Sequence, residues 1–577
     1  MKLFLQFILI VYPVFTCISQ SPNNLHWSVK SNQKIPLSSL HLTTLANDSL
    51  FFKNIGNSNR VNVAIFPDGS ENTFLEIGNP NTTTIDLIHR SANNNWYILG
   101  YTSETSNFTT PGAFRTEFDY NQNPIHSTNN YIAKFSSTGQ LIWCTYIDFS
   151  FEQESGVGKT ILTTDSNDNV YFVSLKPNDE TIENSPFQST ANPEDYFSEN
   201  KTTTITKLDS NGQYVWSTFF GIHHTVISNL ITTSDGLIVT GFFINLDQEN
   251  GIPVSNPTYF STTGAYKENP NINNAGLYPA NTFINKFSFD GTRIWGTYYE
   301  KQILSSDADD NGIYLLSFPA PTTDNAFLSQ GNGAYRFGKL NSEGTELLWR
   351  TYLSNNTFES DYVHIHNKFS LTPDGNIWLM GETDSTNGIA TDDAFQTEKD
   401  DTFSFNLSNS DGYHLLLSND GSTVLYATYY GNDGKDMPQR IVPFENGYYS
   451  IDYTSNNSNP NNFITMGSPL EEDEDNPGTY KGVVYSKFSN TAMSIPEKVL
   501  KKVQIHPNPF EDTIQISGEL NDFNRAIVYN MKGQILIETN IDTTDTLTID
   551  GSKLPSGVYL LTIANEQHKQ TYRIVKK

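Results

Sequence analysis

The chain has 577 residues, of which 13% are aromatic and only 17% are charged. Its formal net charge of −28 opposes binding to the phosphate backbones of nucleic acids and to anionic lipid. This length can bury one large core and one smaller core, and the composition favours strands and polar turns over helices. We therefore expect an all-β protein with no nucleic-acid partner.

The N-terminus has the pattern of a secretory signal peptide. A basic tip at Lys2 precedes a mostly apolar stretch from residue 3 to 15, which is too short to span a bilayer. Cleavage after Ser19 satisfies the requirement for a small residue, so residues 1–19 are predicted to be removed. The alternative, lipidation at Cys17, is disfavoured because Thr16 stands where that signal needs Gly, Ala or Ser. No later segment is apolar and long enough to cross a membrane.

Removal of the signal peptide leaves one cysteine, Cys144. A single cysteine cannot form an intramolecular disulfide, and Trp143 and Thr145 flank this one in a predicted strand. A buried, inert thiol is the expected state.

The central part of the chain repeats a hairpin signature. Each copy has a Lys, then a turn glycine, then Trp, Thr and an aromatic residue. Close copies cover residues 134–146, 207–219 and 286–298, and looser ones cover 339–352 and 416–429. The glycine suits a turn with positive φ, and the Trp can fill the gap between adjacent sheets. The Lys is expected to cover an apolar face or to form a structural ion pair.

A second repeated element lies between the hairpins and makes each unit four-stranded. It is a polar turn followed by an aromatic or β-branched strand, with copies at residues 95–100, 169–174, 236–241, 312–317, 376–381 and 447–452. In the second unit we expect strands near 160–164, 169–174, 203–208 and 214–219. Tandem four-stranded units predict a β-propeller over residues 20–490, with six blades favoured and seven possible.

The two ends of the propeller segment are expected to meet. Lys487 and Phe488 begin a last hairpin that lacks its second strand, because residues 491–502 have the composition of a linker. Residues 61–77 contain echoes of the hairpin at Asp68, Gly69 and Phe74 and are expected to supply the missing strand. Such closure would leave no exposed sheet edge.

The repeats resemble a known family. Residues 100–103, 107–114, 131–135 and 143–146 together resemble the bacterial β-propeller repeat of the SBBP type. The resemblance covers roughly residues 60–490. It implies a propeller and carries no catalytic residues with it.

The last segment, residues 503–577, is a separate module. It begins with Ile505–Phe510, continues through Ile527–Gly533 and Leu554–Tyr559, and ends with Tyr572–Lys577. About seven short alternating strands predict a small β-sandwich. The motifs resemble the type A C-terminal sorting domain of the type IX secretion system of Bacteroidetes, with His506 where that family usually has Tyr. The resemblance implies recognition by the secretion machinery and a place outside the cell or on its outer surface.

Several local motifs suggest chemistry only weakly. Gly158–Thr160 imitates the end of a phosphate-binding loop, but Gln153 stands where the first glycine belongs. The turns Asp165–Asn169 and Asp307–Gly312 resemble calcium loops yet lack the twelfth-position carboxylate. No cofactor is predicted, and calcium remains an alternative. The pairs at 223–224 and 364–366 offer two histidines without a third zinc ligand, and the acidic run 471–475 is expected to be a solvated loop.

No catalytic residues can be assigned from this sequence. The favoured hypothesis is a non-enzymatic propeller whose loops, such as residues 245–274, bind an extracellular glycan or protein. One alternative is a glycan hydrolase or lyase with carboxylates that converge at the channel mouth. The other alternative is a structural scaffold for adhesion or gliding.

Overall fold

The structure is a computed structural model, and the part of the chain that it describes is all-β. The described residues are 24–30, 49–53, 59–65, 70–119, 128–147, 161–192, 201–222, 225–244, 258–270, 280–329, 335–352, 369–383, 388–399, 410–431, 434–444, 447–456, 471–472, 480–489, 504–518, 520, 523–530, 534–541, 546–565 and 569–577. The predicted signal peptide and linker lie outside them. No described segment is a helix long and apolar enough to cross a membrane.

The chain divides into two compact units, Met1–Ala492 and Met493–Lys577. In the described part of the first unit, seven antiparallel sheets follow one another, and we number them as blades 1 to 7. Blade 1 has three strands, β2 (Ser49–Lys53), β3 (Arg60–Ile65) and β4 (Ser70–Glu76). The all-β propeller fold is therefore confirmed, and the alternative of seven blades agrees with the number of sheets.

Blades 2 to 6 each have four strands in sequential order. Blade 2 has β5 (Thr83–Arg90), β6 (Trp96–Thr102), β7 (Asn129–Phe135) and β8 (Leu141–Tyr146). Blade 3 has β9 (Leu162–Thr164), β10 (Val170–Pro177), β11 (Lys201–Leu208) and β12 (Tyr214–Phe219). Blade 4 has β13 (Thr225–Thr232), β14 (Leu237–Ile244), β15 (Ala280–Phe287) and β16 (Arg293–Tyr299).

The next two blades repeat this order. Blade 5 has β17 (Ile303–Asp309), β18 (Gly312–Ser317), β19 (Arg336–Leu340) and β20 (Leu347–Tyr352). Blade 6 has β21 (Phe369–Leu371), β22 (Ile377–Thr383), β23 (Asp411–Leu417) and β24 (Val424–Tyr430). First strands of neighbouring blades contact each other, as β5 does β9 and β13 does β17, so the first strand of each blade is innermost.

Blade 7 is completed by the N-terminal strand, which corrects one prediction. Its strands are β25 (Gly434–Phe444), β26 (Gly447–Asn456), β28 (Tyr480–Ser489) and β1 (Asn24–Lys30), and the short β27 (Glu471–Glu472) also pairs with β28. The missing partner of the last hairpin is thus β1, whereas residues 61–77 pair within blade 1. The start of the acidic run is likewise part of a strand and not of a loop.

The register explains why β1 fits this position. In blades 2 to 5 the recurrent Lys lies opposite the recurrent Trp and a β-bulge follows, as at Lys134 and Trp143. In blade 7, Lys487 lies opposite Trp27 of β1, beside a bulge of the same kind. The N-terminal strand therefore continues the repeat in the register that the other blades use.

The outermost strand of five blades is covered by the connection between the second and third strands. In blade 2, the amide of Thr110 donates to the carbonyl of Cys144 and the amide of Tyr146 donates to that of Arg115. In blade 5, Thr323 and Arg350 are joined in the same way. These bonds satisfy backbone groups that an open edge would expose.

The second unit is a sandwich of two antiparallel sheets. One contains β29 (Gln504–His506), β30 (Thr513–Ser517) and β33 (Thr546–Asp550). The other contains β32 (Ile535–Asn540), β31 (Arg525–Tyr529), β34 (Gly557–Ala564) and β35 (Lys569–Lys576), in that spatial order. Ile514 and Ile549 from the first sheet share a buried core with Val528, Leu561 and Ile574 from the second. The predicted seven-stranded sandwich is confirmed.

Candidate functional site

The recurrent Lys and Trp join consecutive blades. Lys134 of blade 2 reaches blade 3, where its Nζ lies 3.2 Å from the Asp168 carboxylate and 3.2 Å from the carbonyl oxygen of Ser210. Trp143 donates from Nε1 to that carbonyl at 3.1 Å. Lys207 and Trp216 bond the carbonyl of Phe289 in blade 4 in the same way. The predicted ion pair and gap filling are therefore present, and the hairpin residues are architectural.

The turn glycine of the following blade completes this contact. Gly212, Gly344 and Gly421 all have positive φ, as the sequence predicts. A Cβ atom on Gly212 would lie 2.7 Å from the Trp143 ring, and one on Gly344 would lie 2.5 Å from the Trp295 ring. Any side chain here would push the blades apart, so glycine is required for both its φ and its size.

The interface between blades 4 and 5 departs from this rule. Lys286 does not cross to blade 5 as Lys134 crosses to blade 3, and it pairs with Asp235 of its own blade at 2.7 Å. The strand register aligns Asn311 of blade 5 with Asp168 of blade 3. Asn311 lies two residues before the residue that pairs with Leu340, and Asp168 lies two residues before the residue that pairs with Leu208. Blade 5 therefore offers Lys286 no carboxylate at this position, and Lys286 pairs with Asp235 in blade 4.

A cleft of about 380 Å³ lies at this interface. Its lining combines four apolar side chains with four carboxylates and one ammonium group. The lining includes Ile238, Ile294, Trp295, Ile313, Asp235, Asp309, Asp310, Glu343 and Lys286. Asp310 also accepts a hydrogen bond at 2.9 Å from the amide of Ser234 across the interface. The excess of negative groups makes the cleft suitable for a cation.

The state of Trp295 limits which ligands the cleft can take. Its side chain is 9% exposed, its ring is covered by Gly344, and its Nε1 donates to the carbonyl of Ser342 at 3.1 Å. A sugar ring binds Trp through a free aromatic face, and this face is occupied. The cleft therefore offers apolar side chains and carboxylates rather than a stacking platform.

A buried arginine supports the same interface from the other side. Arg350 is 1% exposed and donates to the Glu300 carboxylate at 2.8 Å and to the Tyr299 hydroxyl at 3.0 Å. The equivalent positions in other blades are small: Cys144, Ser217, Gly296 and Ala427. Gly338 lies opposite Arg350 and provides the space. The ion pair with Glu300 and bonds to tyrosine hydroxyls raise the pKa of Arg350 although burial opposes its charge.

Titratable groups also lie on the innermost strands. Burial raises the pKa of Asp307 on β17 to about 6, although its carboxylate accepts a hydrogen bond from the amide of Ala308. Burial lowers the pKa of His89 on β5 to about 4, and its Nε2 lies 2.9 Å from Thr164 Oγ1. Burial likewise lowers the pKa of Arg440 on β25 to about 10. Burial is the largest cause of all three pKa shifts.

A histidine, an aspartate and a serine meet between blades 6 and 7. His414 Nε2 lies 3.1 Å from Asp452 Oδ1, and Ser450 donates to Asp452 Oδ2 at 2.6 Å. All three are buried, with exposed fractions of 0 to 2%. A catalytic serine must bond the histidine and meet substrate, whereas here the carboxylate stands between the two. The group is a structural network.

The calcium-like turns are hairpin turns in the structure. Asp165 accepts the amides of Asn167 and Asn169 at 2.9 and 3.0 Å, and Asp309 accepts the amide of Asn311 at 2.8 Å. Among the described residues, no three His, Cys, Asp or Glu side chains are grouped to hold a metal. Cys144 is fully buried and burial raises the pKa of its thiol. The motif at 158–160 and the histidines at 223, 224, 364 and 366 lie outside the described residues.

Sequence reasoning missed the cleft between blades 4 and 5. It requires Asp235, Asp309 and Glu343, which lie 34 to 108 residues apart in the sequence and meet only because consecutive blades are adjacent. A signal was present in the replacement of Asp168 by Asn311, which becomes visible only when the turns are aligned on their strand register.

Several solved structures are similar to the chain at low sequence identity. Solved structures similar to the chain include BamB from Moraxella catarrhalis, at 10% identity and a TM-score of 0.33, with 81% of this chain and 99% of that chain covered. Acylaminoacyl peptidase from Pyrococcus horikoshii has 10% identity and a TM-score of 0.33, with 84% and 59% covered. Because these TM-scores are below 0.5, the fold assignment rests on the sheets described above.

No curated protein matches the chain. Residues 504–577, which form the sandwich of the second unit, match the family described as the secretion system C-terminal sorting domain. The two cis peptide bonds of this segment, His506-Pro507 and Asn508-Pro509, fall within its first motif. The chain thus carries a type IX sorting domain and is exported to the cell surface or the extracellular space.

Proposed function

We propose that this exported propeller is a non-enzymatic binding module that holds an extended basic segment of another polypeptide in the cleft between blades 4 and 5. The observation that carries the proposal is a cleft with four carboxylates and one Lys at an interface where the recurrent Lys pairs within its own blade instead of crossing to the next. A lysine or arginine side chain could lay its apolar stem on Ile238 and Ile313 and its cationic head among the carboxylates.

A basic polypeptide is favoured over a glycan for two reasons. The ring of Trp295 is already covered by Gly344, so it cannot stack on a sugar. The cleft also matches the sign of the whole chain, whose net charge of −28 would draw basic partners from a distance. We also propose that residues 20–490 form an SBBP-type propeller and that the protein comes from a member of the Bacteroidetes. In the same proposal, residues 1–19 are a signal peptide and residues 491–502 are a linker.

The test is a calorimetric titration of the full mature chain with a Lys/Arg-rich dodecapeptide, a neutral peptide of equal length and a panel of soluble glycans. The double variant Asp309→Asn/Asp310→Asn should weaken binding of the basic peptide at least tenfold. The control Asp374→Asn/Asp420→Asn removes two exposed charges from turns of blade 6 and should leave binding unchanged. Equal loss in both variants, or binding of glycans alone, would reject the proposal.

A further inference from the structure

The four-stranded sheet of the sorting domain has one covered edge and one open edge. At the β35 edge, the amide of Phe510 donates to the carbonyl of Val575 at 2.8 Å and that of Lys577 donates to the carbonyl of Phe510 at 2.9 Å. The side chain of Asn508 adds bonds to Arg573 and Val575 at 2.9 Å each. The opposite edge is β32, which pairs with β31 and with no other strand in the described part of the domain.

Two features of β32 can protect an edge, the charge of Glu538 and a β-bulge between Ile535 and Ile537, but its other residues do not. Its sequence from Ile535 to Asn540 contains no Pro and no Lys, and Ile535 and Leu536 are 54% and 42% exposed. Proteins usually blunt such an edge because it can template another strand. In the described part of the domain, the edge strands β29 and β33 of the other sheet also have no further partner strand, but β32 is the edge strand that exposes large apolar side chains.

The register shows which backbone groups of β32 are free. The amide of Ile541 donates to the carbonyl of Asn524, beside β31, and the pairs Thr539 with Ala526 and Ile537 with Val528 continue in the same phase. Because hydrogen-bonding direction alternates along an antiparallel strand, the backbone groups of Glu538 and Asn540 point away from β31. They can accept one further strand.

We infer that β32 is the docking edge by which the sorting domain adds a strand of an export-machinery protein to its four-stranded sheet. The inference rests on the sorting role of residues 504–577, which requires that a component of the machinery bind this domain. The occupant is an extended segment whose backbone pairs with Glu538 and Asn540 and whose apolar side chains meet Ile535 and Leu536. It is independent of the ligand proposed for the propeller.

The first test separates backbone pairing from side-chain effects, with the full chain expressed in a host that secretes it. Glu538→Pro removes an outward-facing amide and leaves the pairing with β31 intact, whereas Glu538→Ala removes only the side chain. We expect Glu538→Pro to lower the amount of surface or extracellular protein at least tenfold and Glu538→Ala to leave it unchanged. Equal export of the two variants would overturn the inference.

A second pair guards against a folding defect at residue 538. Leu536→Lys places a charge on the edge, and Gln515→Lys places the same charge on an exposed position of β30. Export should fall at least tenfold only for Leu536→Lys, with the melting temperatures of both purified chains close to that of the wild type. A different result would be a wild-type dimer, a Leu536→Lys monomer and unchanged export of both. In that case the edge serves self-association and the inference is wrong.

Discussion

Lys134 of blade 2 pairs with a carboxylate of blade 3, whereas Lys286 of blade 4 pairs within its own blade and does not reach blade 5. Both interfaces hold a cleft, of about 240 Å³ between blades 2 and 3 and about 380 Å³ between blades 4 and 5. The repeat supplies the same Lys and Trp to both. Lys134 pairs with Asp168 of the next blade, whereas Lys286 pairs with Asp235 of its own blade and faces Asn311 in the aligned turn.

An aligned carboxylate is not required for crossing, because Lys207 and Lys339 reach oxygens of Phe289 and Asn419 in their next blades. The comparison teaches that a Lys held within its own blade leaves its interface without this bridge, and the cleft that we propose as a binding site lies there.

The largest effect is expected from the buried arginine that supports the interface between blades 4 and 5. Arg350→Ala leaves Glu300 without its partner and creates a cavity opposite Gly338, so we expect a loss of about 5 kcal/mol of unfolding free energy. Ala427→Ser, at the equivalent position of blade 6, should cost less than about 1 kcal/mol. Urea unfolding of both variants checks this, and similar midpoints would show that Arg350 is not needed.

The network between blades 6 and 7 gives a second large effect. His414 lies opposite the recurrent Thr, where blades 2 to 5 have Ile132, Ile205, Ile284 and Phe337. His414→Ile should cost about 3 kcal/mol because it leaves the buried Asp452 carboxylate without this partner. Blades 3 and 5 have Ser at the position of Asp452. Adding Asp452→Ser should therefore restore most of the stability that His414→Ile removes. Additive losses in the double variant would contradict the account.

Replacement of Lys134 and of Lys286 by Met should lower the free energy of unfolding by different amounts. Lys134→Met removes a pair whose side chains are 7% and 8% exposed, and it should cost about 2 kcal/mol. Lys286→Met removes a pair in which the Asp235 side chain is 64% exposed, and it should cost less than about 0.5 kcal/mol. Thermal unfolding of the two variants measures the difference, and equal losses would mean that the interfaces are not distinct.

The smallest effect depends on pH. The pKa of Asp307 is raised by burial to about 6, so its ionisation destabilises the folded chain as pH rises from about 4 to 6. Asp307→Asn keeps the acceptor for the Ala308 amide and should stabilise the protein by about 1 kcal/mol at pH 7.5, after allowance for solvent screening. The gain should vanish near pH 4. A gain that persists at pH 4 would point to another cause.

The sequence predicted the frame of the molecule well because the frame is repetitive. The strands expected near 169–174 and 214–219 lie at Val170–Pro177 and Tyr214–Phe219. The position of β1 was not predicted because a single strand far from its sheet carries no local repeat, although Trp27 takes the place of the hairpin Trp. The cleft was missed for a related reason, since its carboxylates come from turns of two blades and converge only in space.

The most direct test of the central claim exchanges the two turn residues without changing the net charge. In the double variant Asp235→Asn/Asn311→Asp, Lys286 should cross to blade 5 as Lys134 crosses to blade 3, which would place its side chain across the cleft. Calorimetric titration with the basic dodecapeptide should then show at least a tenfold loss of affinity relative to the wild type. Unchanged affinity, with the melting temperature preserved, would contradict the claim that the cleft between blades 4 and 5 is the binding site.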